Sequence, residues 1–340
     1  MRIVTYLKCA VAAGAIIAGT AAANARTLTF ATWQPEASTS LHATSLHWFA
    51  EELEKRTDGK HSLNIFWNGT VAGISDIGNA VESGLADMGD LVVPYFPDQY
   101  PLNNAISFFW PQPRTPLELS EMMADLHRKY PPFSEELTKF NLKLIGLRPL
   151  GYYGMMCREP IRSMDDFKGK RIRSYGVALP AVVEALGAVP QSMSTVEIYE
   201  ALERGVIDCA PIEPILAHGW KYDEVAKYFV DVPLGASWGQ FIVMNADVFE
   251  GLPDDLKQTI TELGNDYHVY FSEQQEKQTA EVMDGWEKRE DFEVIKIPAE
   301  EFLAVTENSP GVAKVRQQWI EKAKAAGLPA DEIASGLSFK

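Results

Sequence analysis

Apolar and polar positions along this chain switch repeatedly between a two-residue and a three-to-four-residue period. Thr27–Thr32 reads as a strand, and Leu41–Thr57 sets Leu46, Phe49, Ala50 and Leu53 at helical spacing before Gly59 stops it. His61–Trp67 then alternates, with Leu63, Ile65 and Trp67 on one face, and a helix over Asp76–Ser83 leads into a strand over Met88–Val93. The same grammar returns later. Leu142–Leu147, Tyr152–Cys157, Lys170–Tyr175 and Val206–Ile212 read as strands, and Pro180–Leu186 and Glu197–Arg204 as helices. Such β-α-β runs make mostly parallel sheets with helices on their faces, so the expected fold class is α/β.

One short phrase occurs in both halves: Ala80-Val-Glu-Ser-Gly84-Leu-Ala-Asp87 and Ala201-Leu-Glu-Arg-Gly205-Val-Ile-Asp208. Each is a helix end, a glycine suited to the left-handed C-terminal position, and an aspartate before an apolar strand. Two copies imply two lobes on one plan, with a cleft between them. Further on, Pro253–Glu290 contains little that breaks a helix, and Leu256, Ile260, Leu263, Tyr267 and Phe271 share a face. One helix of roughly 57 Å bridging both lobes, or two shorter helices, would satisfy it. Phe292–Ile297 is a last strand.

The chain has 340 residues and a formal charge of −16. Arg2 and Lys8 precede an apolar run, Cys9–Ala23, and Ala23-Asn24-Ala25 fits a small-x-small cleavage site, so residues 1–25 read as a signal peptide. Export without membrane anchoring follows. Removal of Arg2 and Lys8 takes the charge from −16 to −18. That surface disfavours nucleic acid and anionic lipid, and an anionic ligand would need a local cationic spot. Cys157 and Cys209 remain after cleavage; two buried free thiols are expected, with a bridge as the alternative.

Chemistry that would make this an enzyme is thin. Gly235-Ala-Ser237-Trp-Gly239 matches a nucleophile elbow, but a strand follows it, and His268 falls inside the long helix. The six histidines are scattered, and no metal or cofactor motif appears. Arg173 differs, because alternation in Lys170–Tyr175 sets Arg171, Arg173 and Tyr175 opposite Ile172. A guanidinium there, facing an interlobe cleft, would hold a carboxylate with two parallel bonds. Trp33 and Trp238, at strand ends, are candidates for stacking on a ligand.

The run Pro160-Ile-Arg-Ser-Met-Asp-Asp-Phe-Lys-Gly169-Lys-Arg-Ile-Arg173, followed by Ala185-Leu-Gly-Ala-Val-Pro190, Glu197-Ile-Tyr199 and the phrase ending at Asp208, resembles the solute-binding proteins of tripartite ATP-independent periplasmic (TRAP) transporters. Gly84–Asp87, Tyr95–Pro101 and Leu252–Leu256 match as well, so the resemblance spans the mature chain. It implies a two-lobed periplasmic-binding-protein fold with crossing hinge strands, a long helix across both lobes, closure on a ligand and delivery to a membrane permease. Lobe I would comprise 26–150 plus 239–280, and lobe II 151–238 plus 281–340. Arg173 matches the arginine that clamps a substrate carboxylate in this family. A second arginine found in some members falls near Tyr153, and an asparagine found in several falls at Ile212 or Glu213. One carboxylate with a less charged remainder therefore fits better than a dicarboxylate. Arg173, Tyr153, Trp33, Gln34, Glu213 and Trp238 form the expected ligand site, with no cofactor and no metal. Two rivals are a binding protein of an ATP-driven importer and a secreted hydrolase using Ser237.

Overall fold

The computed structural model describes residues 25–111, 114–307 and 309–338. The signal-peptide reading of residues 1–25 thus lies outside the described residues, apart from Ala25. Among the described residues eleven strands form two sheets: β1 Arg26–Ala31, β2 His61–Phe66, β3 Met88–Val92, β4 Leu142–Arg148, β5 Tyr152–Cys157, β6 Arg171–Ser174, β7 Val189–Ser192, β8 Cys209–Ile212, β9 Tyr228–Ala236, β10 Gln240–Asn245 and β11 Glu293–Lys296. The first sheet runs β2-β1-β3-β10-β4 and the second β11-β9-β5-β8-β6-β7. Each sheet therefore anchors one lobe.

The repeated phrase has a physical basis in both lobes. Gly84 and Gly205 adopt φ +75° and +68°, where a Cβ is disfavoured. Asp87 then accepts from the Thr29 amide at 2.8 Å and the Thr29 hydroxyl at 2.9 Å. Asp208 accepts from the Arg171 amide at 2.8 Å and the Arg171 guanidinium at 2.6 Å. In both lobes the aspartate fastens the start of one strand to its parallel neighbour, β3 to β1 and β8 to β6.

Two strand-to-strand crossovers join the lobes. The chain passes from β4 to β5 through 149–151 and returns from β9 to β10 through 237–239. These segments bond to each other, Leu150 N–H to Ser237 O at 3.2 Å and Ser237 N–H to Gly151 O at 3.3 Å. The long element is one helix, Asp254–Glu287. Leu256, Ile260, Leu263, Tyr267 and Phe271 pack in the core of the first lobe, whereas Trp286 packs beside Phe229 and Phe292 in the second. Residues 281–340, expected in lobe II, divide between the two cores: Phe302 and Val312 pack with the second, and Trp319, Ala323 and Leu337 with the first.

Three features depart from the sequence reading. Cys157 and Cys209 form a disulfide rather than free thiols, because antiparallel pairing of β5 with β8 sets them directly opposite. Strand β9 carries Pro233 inside an apolar run, which hides it from pattern reading. The register of β5 against β9 shifts between Tyr153 and Met155, so Pro233 sits in a bulge. The first lobe also holds helices at Pro116–Lys129 and Pro131–Thr138, of which the former has a full capping box between Thr115 and Glu118.

Candidate functional site

The site grows from the carboxyl ends of the parallel strands, where open α/β sheets leave a crevice. In β6, Ile172 points into the core of the second lobe and Arg173 to the opposite face. Arg171, on the same face but nearer the strand start, is instead taken by Asp208. Arg173 is only 1 % exposed. Its guanidinium donates to Pro211 O at 3.2 Å, Tyr95 Oη at 3.2 Å, Thr195 Oγ1 at 3.1 Å and Met193 O at 3.4 Å, and it lies 4.2 Å from the centre of the Tyr175 ring. Tyr95 comes from the first lobe and Thr195 from the second, so the arginine stands where the lobes meet. Beside it a cleft of about 410 Å³ opens between Pro94 and Tyr95 on one side and Tyr175, Ser192 and Glu197 on the other.

Charge sets Arg173 apart. Among the described residues no carboxylate forms an ion pair with it, and every acceptor it reaches is neutral. Burial raises the Tyr153 hydroxyl well above its ordinary range and also raises Tyr175, the latter against the pull of Arg173. Neither phenol ionises near neutral pH to balance the guanidinium. The other fully buried arginine, Arg148, provides the contrast: it donates to Asp90 Oδ2 at 2.8 Å. A buried charge without a counter-charge costs several kcal/mol of desolvation, which a bound anion offsets.

A family model described as "Bacterial extracellular solute-binding protein, family 7" (DctP) matches residues 30–318, most of the chain. The chain belongs to this family. It is an extracytoplasmic solute receptor of the TRAP type, not an enzyme. A solute-binding protein of Sulfitobacter sp. (strain NAS-14.1) is 24 % identical over 302 residues, covering 87 % of this chain and 86 % of that one. The C4-dicarboxylate-binding periplasmic protein DctP of Rhodobacter capsulatus is 34 % identical over 108 residues, 32 % of each chain. Among solved structures, DctP7 of Bordetella pertussis, an extracytoplasmic solute receptor binding pyroglutamic acid, superposes with TM-score 0.77 at 23 % identity, covering 91 % of this chain and 99 % of that one. The ectoine-binding protein of the Halomonas elongata TeaABC TRAP transporter gives TM-score 0.77 at 19 % identity, covering 92 % and 97 %.

Within this receptor the six expected site residues do not share one environment. Trp33 stacks obliquely on Trp220 from the second lobe, centroids 5.5 Å apart, and both indole N–H groups are buried without a protein partner. Gln34 is held by its backbone, its N–H donating to Thr32 Oγ1 and its carbonyl accepting from Asn68 N–H. Its side-chain oxygen and nitrogen are both buried and unpartnered. Tyr153 sits behind Tyr175, the two hydroxyls 3.3 Å apart. Trp238 packs in the core of the first lobe and donates to Asn103 O at 3.0 Å. Glu213 lies inside the hinge with both oxygens engaged by protein groups, while Ile212 packs in the core of the second lobe.

Ser237 has the Tyr175 hydroxyl at 3.1 Å rather than an imidazole, and β10 rather than a helix follows it. The elbow reading ends there. Among the described residues no group of three or more His, Cys, Asp or Glu could hold a metal. Thr195, Asp90, Arg148 and His42 are not among the residues expected at the site, and Tyr95 is expected only as part of the matching segment Tyr95–Pro101. The Ser194-Thr-Val-Glu197 capping box was a visible signal for the turn that carries Thr195.

Proposed function

We propose that this receptor captures a small organic acid with one carboxylate, clamped by Arg173 between the lobes, and passes it from the periplasm to a TRAP permease in the membrane. The supporting observation is the buried Arg173 guanidinium, which reaches only neutral acceptors. A carboxylate arriving there gains a bidentate, charge-assisted pair in a site already stripped of water. The second buried guanidinium, Arg148, is matched by Asp90, which argues against a dicarboxylate. Beyond the carboxylate, the unpartnered Gln34 amide and the Trp33 and Trp220 indoles favour a neutral remainder able to hydrogen-bond. Tyr153 shapes the wall behind Tyr175. Trp238 and Glu213 support that wall rather than touch the ligand, because their polar atoms are engaged elsewhere.

Solved relatives are consistent with this class, since receptors of similar fold hold pyroglutamate, galacturonate, fuconate and orotic acid, each of which carries a carboxylate. In this reading the moving bodies are 26–150 with 239–280 and 151–238 with 281–340, the last helices from Trp319 onward travelling with the first. Closure is favoured only by contacts made to both lobes at once. A thermal-shift screen should include those four acids, short oxo- and hydroxy-acids, dicarboxylates and neutral sugars. At a hundredfold excess over Kd a ligand adds about 2.7 kcal/mol of stability. A monocarboxylate should give the largest shift; a response confined to dicarboxylates or to neutral sugars would refute the proposal.

A further inference from the structure

We infer that Gln34 is a specificity-determining residue whose side-chain amide pairs with a cis-amide of the ligand, so that the preferred guest is an acid carrying a lactam or cyclic ureide ring. The inference deepens the organic-acid reading above and rests on it. Gln34 is fully buried, and both polar atoms of its side chain lack a protein partner. Such a group is costly until something binds it, because each unmet donor or acceptor has given up its hydration. The main chain fixes its place: its N–H donates to Thr32 Oγ1 at 3.1 Å, and its carbonyl accepts from Asn68 N–H at 2.9 Å. Further along the same loop, Ser38 donates to Gly219 O at 3.4 Å, in the second-lobe helix Pro214–Gly219. A run of contacts links this loop to the clamp. Trp33 packs on Trp220, and Trp220 lies edge-on to Tyr222 with centroids 6.3 Å apart. The Tyr222 hydroxyl then donates at 2.8 Å to the carbonyl of Thr195, whose Oγ1 meets Arg173.

A primary amide offers an acceptor oxygen and a donor N–H side by side. Two parallel bonds to it need a guest that shows the reverse pair along one edge. An open-chain secondary amide is trans, with its N–H and C=O on opposite sides, and its cis form is rarely populated. A ring holds the amide cis, so lactams and cyclic ureides present the matching edge. A vicinal diol also reaches both ends of Gln34, but each hydroxyl brings a hydrogen of its own. The neighbouring groups without partners, the indole N–H of Trp33 and that of Trp220, are donors and call for an acceptor. The second lone pair of a ring carbonyl answers one of them, and a flat ring packs against the indole faces.

Calorimetric titration compares pyroglutamate and its ring-expanded homologue with their N-methyl derivatives, with the carbocyclic acids of the same ring sizes, and with galacturonate. At least one lactam acid should bind about 10- to 100-fold more tightly than its carbocyclic counterpart, the scale of two neutral hydrogen bonds in a dry site. N-methylation should remove that advantage. In Gln34→Met the advantage should vanish while the carbocyclic acid keeps its affinity within a few-fold, with circular dichroism confirming the fold. Equal binding of lactam and carbocyclic acids in wild type would overturn the inference and leave the carboxylate clamp standing. So would an equal loss for every acid in Gln34→Met, which makes Gln34 a structural residue, or galacturonate binding more tightly than both lactams, which assigns it to a diol. If none of these acids binds but others in the organic-acid screen do, the inference falls alone; if no acid binds, the reading it rests on falls with it. Should Gln34→Met fail to fold, the N-methyl comparison in wild type decides.

Discussion

Replacing Arg173 by methionine separates its two proposed roles, because the side-chain volume is roughly kept while the charge is removed. The guanidinium makes four bonds to neutral acceptors, at 3.1 to 3.4 Å, all on the long side for a charged donor. Those bonds and the desolvation of the charge oppose each other, each amounting to several kcal/mol. Tyr95 keeps partners without the arginine, since its hydroxyl lies 3.1 Å from Thr195 Oγ1 and 3.0 Å from the Thr195 amide. The ligand-free Arg173→Met protein should therefore stay within about 2 kcal/mol of wild type. Binding should suffer far more: breaking one partner of a buried ion pair costs about 3–5 kcal/mol, or roughly 10²- to nearly 10⁴-fold in Kd. Arg173→Lys should fall between, as it keeps the charge but loses the planar fork. Thermal melting without ligand, with calorimetric titration of the acid that gives the largest thermal shift, reads both quantities. A methionine variant that binds that acid within a few-fold of wild type refutes the clamp, and one that melts far below wild type before ligand is added makes Arg173 a structural residue.

Three further outcomes test the scaffold. The Cys157–Cys209 bridge closes a loop with a sequence separation of 52, which the chain-entropy relation converts to about 4 kcal/mol; reduction, or replacement of both cysteines by serine, should lower the melting temperature markedly, and equal melting with and without reductant would exclude a stabilising bridge. Burial pushes the His127 imidazole down to about 4, with Nε2 donating to Asn103 Oδ1 at 2.8 Å. Its folded value lies below the ordinary 6.5, so its contribution is complete above that pH and is lost as pH falls toward 4. His127→Gln should flatten the acid limb by roughly 2 kcal/mol, discounted for partial exposure, and an unchanged limb would contradict this. Gly264→Ala adds a methyl that meets the Ile145 carbonyl, a backbone group that cannot move aside. The gain of about 1 kcal/mol in helix propensity should be overwhelmed, and a variant more stable than wild type in chemical denaturation would show that the helix–β4 approach is loose.

The fold could be read because two periods and one repeated phrase are local signals. Gly84 and Gly205 mark helix ends in a handful of residues, and Leu256 to Phe271 announce a buried helix face without any knowledge of partners. Arg173 was readable for a similar reason, since alternation in one short strand fixes its face. What escaped depends on which distant segments meet. The disulfide follows from β5 lying beside β8, a pairing no spacing encodes. Glu213 is expected at the ligand from its place after a strand, and no spacing announces that His42, Gly151 and Gln275, from three other segments, meet its oxygens. Trp238 stands at a strand end, as a stacking residue would, yet the turn buries its ring against Phe241. Proline concealed β9, because a bulge that tolerates Pro233 exists only once β5 is its neighbour.

A matched pair of compounds tests the carboxylate clamp most directly. The monocarboxylate that stabilises the receptor best and its primary amide differ by one charge and little in shape, so calorimetric titration of the two isolates the charge that Arg173 would meet. The acid should bind at least a hundredfold more tightly than the amide in wild type, with that ratio collapsing toward unity in Arg173→Met. Equal affinities for acid and amide in the wild-type receptor would contradict the account.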